Sequence, residues 1–233
     1  GQRPHANGRF YFDIYTDDGA GTEGRDIIEP YDMVIDGTWH HVGFTFDNGE
    51  MIFYHDGVEI DTLTTTYDTL NDPSELDDEV AGTGYNMLRI GDCGRNGNAW
   101  EGSLDEAAIY GDVLTSEEIA TLYSISATRL EAGLVGQWHM DGDMTDSAES
   151  VNPYAAGNLD GSLSGTASFT TEGAMNGGVS QDGGLGNLWT VADADALDTT
   201  QAFTTGFWAK VDPDSSALSG TGKDHYIAKY STG

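Results

Sequence analysis

The sequence predicts an all-β protein, and three observations carry that reading. Among its 233 residues are 32 Gly, set against 11 Tyr, 8 Phe and 5 Trp, a composition of tight turns and packed aromatic strands. Short apolar runs alternate with Asp, Asn and Gly clusters over most of the chain. Two hairpin dipeptides, Asn48-Gly49 and Asp56-Gly57, separate consecutive runs by only two residues. The length fits one large sandwich, so a second domain is not required.

Taken in order, residues 9–15, 39–47 and 51–55 read as strands, the last two joined by the turn Asp47-Asn48-Gly49-Glu50. The Asp56-Gly57 turn leads to a strand at 58–63. After an acidic loop at 71–84, residues 86–91 and 103–110 read as two more strands. Thr115-Ser116-Glu117-Glu118 has the spacing of a capping box, in which the Thr and Glu side chains satisfy the first backbone donors of a helix. Ile119, Leu122 and Tyr123 give that short helix its apolar face. Strand character resumes at 134–140, gives way to an Asp/Gly/Asn-rich stretch ending near Gly161, and recurs at 188–191, 203–211 and 225–229.

Nine Lys plus Arg face forty Asp plus Glu, a formal net charge of -31. Nucleic acid is excluded as a partner, because phosphate binding needs a basic surface. Anionic lipid would repel the chain, and no apolar run is long enough for membrane insertion. Such an acid excess fits high-salt surroundings or divalent cations held between acidic loops. The single cysteine, Cys93, forbids an intrachain disulfide framework.

Three segments resemble the laminin-G-like jelly-roll family, the concanavalin-like sandwich of many secreted multidomain proteins. The first is Asp36-Gly37-Thr38-Trp39-His40-His41-Val42 with Phe53-Tyr54-His55-Asp56-Gly57-Val58, similar to that family's central hairpin. The second runs from Leu88-Arg89-Ile90-Gly91 through Gly102-Ser103-Leu104-Asp105-Glu106-Ala107-Ala108-Ile109-Tyr110 to Leu114-Thr115-Ser116-Glu117-Glu118-Ile119, similar to its last strand and terminal helix. The third, Gly133 to Asp141, resembles its opening strand, and Phe207-Trp208-Ala209-Lys210-Val211 its next core strand. The resemblance implies a two-sheet antiparallel jelly-roll sandwich (laminin-G/concanavalin-like) with one short helix, and an extracellular or cell-surface location.

The segments stand in rotated order. Residues 1–132 resemble the C-terminal portion of such a sandwich and 133–233 its N-terminal portion. The two complete one domain, within the chain or between neighbouring units, and joining Gly233 to Gly1 restores the family order. One repeat of a tandem array, a circular permutant and a head-to-tail exchange of halves between copies all fit. The function this implies is a non-catalytic, structural or adhesive repeat of a large secreted or surface protein that meets copies of itself in a filament or stalk.

The alternative is a calcium-dependent glycan-binding module. Calcium takes oxygen ligands from carboxylates in flexible loops, and Asp141, Asp143 and Asp146 form a dense cluster after the opening strand. The resemblance adds Asp182 and Asp105, since related sandwiches hold a structural calcium between early loops and the Asp-Glu of the last strand. Trp100, Trp189 and Tyr85 lie beside Gly-rich loops, where exposed rings would stack on sugars. Trp39, Trp138 and Trp208 are expected in the core.

A third reading, a glucanase, rests on Glu75-Leu76-Asp77-Asp78-Glu79, whose alternate acids would share one face of a strand. The Pro73-Ser74 and Gly82-Thr83-Gly84 flanks favour a solvated loop instead. His40 and His41 are neighbours on a strand and point to opposite faces, so they cannot share a ligand set, and no zinc site is expected.

Overall fold

The computed structural model describes residues 10–17, 23–28, 36–70, 87–90, 101–124, 130, 132–148, 159–183, 189–192, 194–197, 202–212, 224–225 and 227–230. Sixteen strands and one α-helix alternate along them. They are β1 (Phe10–Asp17), β2 (Glu23–Ile28), β3 (His40–Asp47), β4 (Glu50–His55), β5 (Val58–Thr64), β6 (Thr69–Leu70), β7 (Met87–Ile90) and β8 (Glu101–Tyr110). Helix α1 (Ser116–Tyr123) follows. Then come β9 (Leu134–Trp138), β10 (Gly161–Leu163), β11 (Ser168–Met175), β12 (Gly177–Asp182), β13 (Trp189–Ala192), β14 (Ala202–Val211), β15 (Asp224–His225) and β16 (Ile227–Tyr230).

The largest sheet has eight strands in the order β11-β12-β8-β14-β3-β4-β5, with β9 added against β8. β14 therefore lies between β3 and β8, joined to each by an antiparallel ladder that runs most of its length. A four-stranded sheet, β10-β13-β7-β16, and another formed by β15-β1-β2 with β6 complete the strand set. Every pairing is antiparallel except that of β1 with β15. The fold is the expected all-β sandwich.

Why β3 and β4 form a hairpin is written in their link. Asn48 and Gly49 both adopt positive φ, 44° and 89°, the conformation a two-residue turn needs to match the twist of its strands. That turn sets Asp47 opposite Glu50 and, by simple counting, Phe46 opposite Met51, Phe44 opposite Phe53 and Val42 opposite His55. All six lie on one face. Asp56 and Gly57, with φ of 50° and 75°, repeat the device between β4 and β5.

The apolar face of the large sheet packs Val42, Phe44, Phe46, Phe53, Ile109 and Phe207 against Trp138, Trp189 and Val191, the last two carried by the four-stranded sheet. Trp138 and Trp189 meet edge to face at 5.0 Å, and the Trp138 indole N–H donates to the Leu159 carbonyl at 2.9 Å. The opposite face carries Tyr54, Ala108, Tyr110 and Leu134, and Ile119 of α1 closes over them. The central strands are thus buried on both faces, and β3 is buried without a break from His41 to Phe46.

The capping box forms as the sequence predicts: the Thr115 hydroxyl accepts from the Glu118 N–H at 3.3 Å, and Glu118 Oε2 accepts from the Thr115 N–H at 2.8 Å. Such a cap stabilises a helix by about 1 kcal/mol. Just before it, the buried Thr204 hydroxyl of β14 accepts from the Leu114 N–H and donates to the Asp112 carbonyl, tying the helix approach to the middle of the sheet.

The hairpin β11–β12 is not foreseen by the sequence reading, which has no strand between 141 and 187. Thr170, Thr171, Glu172, Gly173, Gly177 and Gly178 supply neither alternation nor bulk, and β11 is an edge strand that stays largely exposed. No helix among the described residues is long and apolar enough to cross a membrane.

Candidate functional site

Two polar clusters lie at the margins of the large sheet. The first is the start of β3 and the tip of the β4–β5 hairpin. Because β3 enters beside the Asp56-Gly57 turn, the Asp56 carboxylate accepts from the His41 backbone N–H at 2.9 Å, and its other oxygen faces His40 Nδ1 at 2.8 Å. The Asp56 N–H donates in turn to the His41 carbonyl at 2.8 Å. On its far side, His40 Nε2 lies 3.1 Å from the Thr38 hydroxyl and 3.3 Å from Asp36 Oδ1. Hydrogen bonds from the Thr38 hydroxyl and then its N–H, with help from His40, hold the Asp36 carboxyl down at about 2.

His40 and His41 do point apart, as strand alternation requires. His41 turns toward the helix side, 5.6 Å from the Trp208 ring and 6.4 Å from Tyr123. Burial pushes its imidazole down to about 4, and its Nδ1 has no hydrogen-bond partner. Across the hairpin, however, a different histidine meets His40. Register sets His55 opposite Val42, two residues from His40 on the same face, and the His40 and His55 rings stand 4.7 Å apart. His55 is 8% exposed, burial pushes its imidazole down as well, and its Nε2 has no partner. An orphaned buried polar nitrogen costs on the order of 1–3 kcal/mol.

The second cluster surrounds the turn that joins β11 to β12. A bulge in β8, marked by Glu106 at φ 52°, turns Asp105 inward until it is fully buried. Its carboxylate accepts from the Glu106 N–H at 2.9 Å and from the Met175 N–H at 2.8 Å. Burial, with smaller contributions from the charges of Glu106 and Asp141, raises its carboxyl to about 7 against the pull of those hydrogen bonds. Asp141 accepts from the Gly177 N–H at 2.7 Å and from the Asn176 side chain at 3.3 Å. His139 Nδ1 lies 2.6 Å from Glu106 Oε2.

The five acids predicted to hold calcium are not gathered at one point. Asp105 and Asp141 share the β11–β12 turn. Asp143 is exposed and accepts from the Thr145 N–H. Asp146 is buried and accepts from the Gln137 and Ala148 N–H groups, while Asp160 accepts from its own N–H. Asp182 ends β12 opposite Glu101. Asp105, Asp141, Asp143 and Asp146 organise turns by accepting from N–H donors, and among the described residues no three of the five surround a common point.

Trp189 requires a second correction. It is 1% exposed, wedged against Trp138, and is part of the core rather than a platform for sugar. Trp138 and Trp208 are buried as expected, whereas Trp39 is only half-buried. Trp100, Tyr85, Glu75 and Glu79 lie outside the described residues.

Among the described residues, a mostly antiparallel sandwich with an aromatic core, one capped helix and no closed barrel fits the class of concanavalin-like jelly rolls. The laminin G family model described as concanavalin A-like lectin/glucanases superfamily matches residues 3–120, just over half of the chain, and the chain belongs to that family. No curated protein and no solved structure matches it.

Proposed function

We propose that this sandwich is a non-catalytic structural or adhesive unit of a large secreted or cell-surface protein, joined head to tail with copies of itself into a filament or stalk. The observation that carries the reading is the position of β14. A strand from residues 133–233 lies in the middle of a sheet whose flanking strands, β3 and β8, come from residues 1–132. A sheet interleaved in this way is closed as well by the β14 of a neighbouring copy as by its own, and an exchange of that kind propagates without closing. The family match ends at residue 120, in keeping with a boundary between the two portions. Laminin G-like domains are commonly extracellular.

The same burial supports a non-catalytic role. A glucanase needs an open sheet face on which a polysaccharide can lie between two carboxylates. Here both faces of β3, β14 and the second half of β8 are filled, one by the aromatic core and the other by α1 and its neighbours.

Light scattering coupled to gel filtration, with electron microscopy of the same samples, tests the proposal. Masses that climb in steps of 24.9 kDa with concentration, and short filaments on the grid, are expected. A single 24.9 kDa species at every concentration would overturn it. Hydrolysis of a β-glucan that disappears in Glu75→Gln would replace it with the glucanase.

A further inference from the structure

The hairpin cluster reaches beyond a structural reading. One imidazole nitrogen each from His40 and His55 and a carboxylate oxygen from Asp56 lie within 4.8 Å of one another, and the rings stand side by side at 4.7 Å. We propose that His40, His55 and Asp56 bind a divalent transition metal ion of the zinc class, with Asp36 and Thr38 orienting His40 from behind.

The donor chemistry selects the metal. Two imidazoles and one carboxylate suit zinc and its neighbours in the first transition series, whereas calcium and magnesium take oxygen. Three protein ligands leave a fourth, tetrahedral position for water. Ligand atoms around such an ion are roughly 3.4 Å apart, given bonds of about 2.0–2.2 Å. The Asp56 and His40 atoms are 2.8 Å apart and no pair of ligand atoms exceeds 4.8 Å, so modest side-chain shifts bring the three to that spacing.

Two further features fit an ion rather than a plain hydrogen-bond pin. His55 Nε2 is buried without a partner, so the second imidazole keeps a nitrogen that the protein itself leaves unused. His40 has acidic and hydroxyl groups behind it: with a metal on Nδ1, the proton sits on Nε2 and is donated to Asp36 or Thr38, at 3.3 and 3.1 Å. An outer carboxylate of this kind fixes the tautomer and orientation of a metal-bound histidine. A neutral imidazole carries one proton, so a metal at Nδ1 requires that proton at Nε2, on the Asp36 side, rather than at Nδ1, facing Asp56. The hairpin tip and the start of β3, now held by hydrogen bonds, would be clipped together by the ion.

The experiment is a titration of the untagged, chelator-treated chain with zinc by calorimetry and with cobalt by visible absorption, in excess calcium to occupy loose carboxylates. One equivalent of zinc and a tetrahedral cobalt spectrum are expected. His40→Gln should abolish both, and Asp36→Asn should weaken binding by about tenfold or more. His55→Gln should abolish them too, but because that side chain is buried, the partly exposed His40 decides the matter should the His55 variant fail to fold. Zinc binding that survives His40→Gln unchanged, or that is no stronger than calcium binding, would overturn the assignment. The result is independent of filament formation, which needs no metal at this hairpin.

Discussion

The two polar clusters are built from similar materials and behave in opposite ways. At the hairpin, buried imidazoles resist protonation: His41 is held near 4, and His55 is lowered too. At the β11–β12 turn, a buried carboxyl resists ionisation: Asp105 is held near 7. Burial disfavours the charged form in both cases, but for a base that means trouble in acid and for an acid it means trouble toward neutrality. The difference teaches that what matters in so acidic a protein is where a charge is buried, more than how many charges it carries.

Asp105 gives the largest effect. Its carboxyl is protonated in the fold up to about 7 but ionises near 3.8 once unfolded, so its stabilising contribution is complete below about 4 and is lost as pH rises toward 7. The shift corresponds to at most about 4 kcal/mol. Asp105→Asn cannot ionise. Chemical denaturation of both proteins at pH 4 and pH 8 should show the variant gaining on the wild type by about 2–4 kcal/mol over that range. Parallel curves would mean that the Met175 and Glu106 N–H groups keep Asp105 ionised after all.

His41 runs the other way. Its folded value near 4 lies below the unfolded 6.5, so the stability of the neutral ring is present above 6.5 and is lost as pH falls toward 4. His41→Phe removes the titration and an unpartnered nitrogen while filling the same space beside Trp208. The variant should match or exceed the wild type at pH 7 and lead it by about 2–3 kcal/mol at pH 4. A constant difference across that range would show that water reaches the ring.

Much of this was readable from the chain. Asn48-Gly49 and Asp56-Gly57 announce both hairpins, the Thr115–Glu118 box announces the helix, and the aromatic runs announce β3 and β14. The meeting of His40 and His55 was legible too, though it needed register rather than spacing: a two-residue turn at 48–49 pairs residues whose numbers sum to 97, and 97 less 55 is 42, next but one to His40. The β11–β12 hairpin was not legible, because strands rich in Gly and Thr at a sheet edge are held by backbone pairing and by Asp105 and Asp141, not by their own side chains. Trp189 was ambiguous for a related reason. Gly-rich flanks suit an exposed ring and a tightly approached core ring equally well, and only the packing against Trp138 decides.

Asp56 tests how far the hairpin depends on its pin. It sits at φ 50°, accepts from the His41 N–H and faces His40. Asp56→Asn keeps the turn conformation and one acceptor, so thermal or chemical denaturation should show a loss of about 1 kcal/mol. Asp56→Ala removes both acceptors and places an alanine in a left-handed conformation, for a loss of about 2–3 kcal/mol. Equal losses in the two variants would show that the charge facing His40, rather than the turn, is what the hairpin needs.

The smallest expected effect separates specific calcium from general screening at the second cluster. With a net charge of -31, any divalent cation relieves self-repulsion, so melting temperature should rise on adding either calcium or magnesium. Asp105 and Asp141 direct their oxygens at N–H groups of the β11–β12 turn, and Asp143 and Asp146 at others. Equal ionic strengths of the two salts should therefore give rises that agree within about 1 °C, since 1 kcal/mol of specific binding would separate them by about 2–4 °C in a chain of this size. A larger rise with calcium that vanishes in Asp141→Asn would assign the ion to this turn, and would reopen the calcium-dependent, glycan-binding reading of the family.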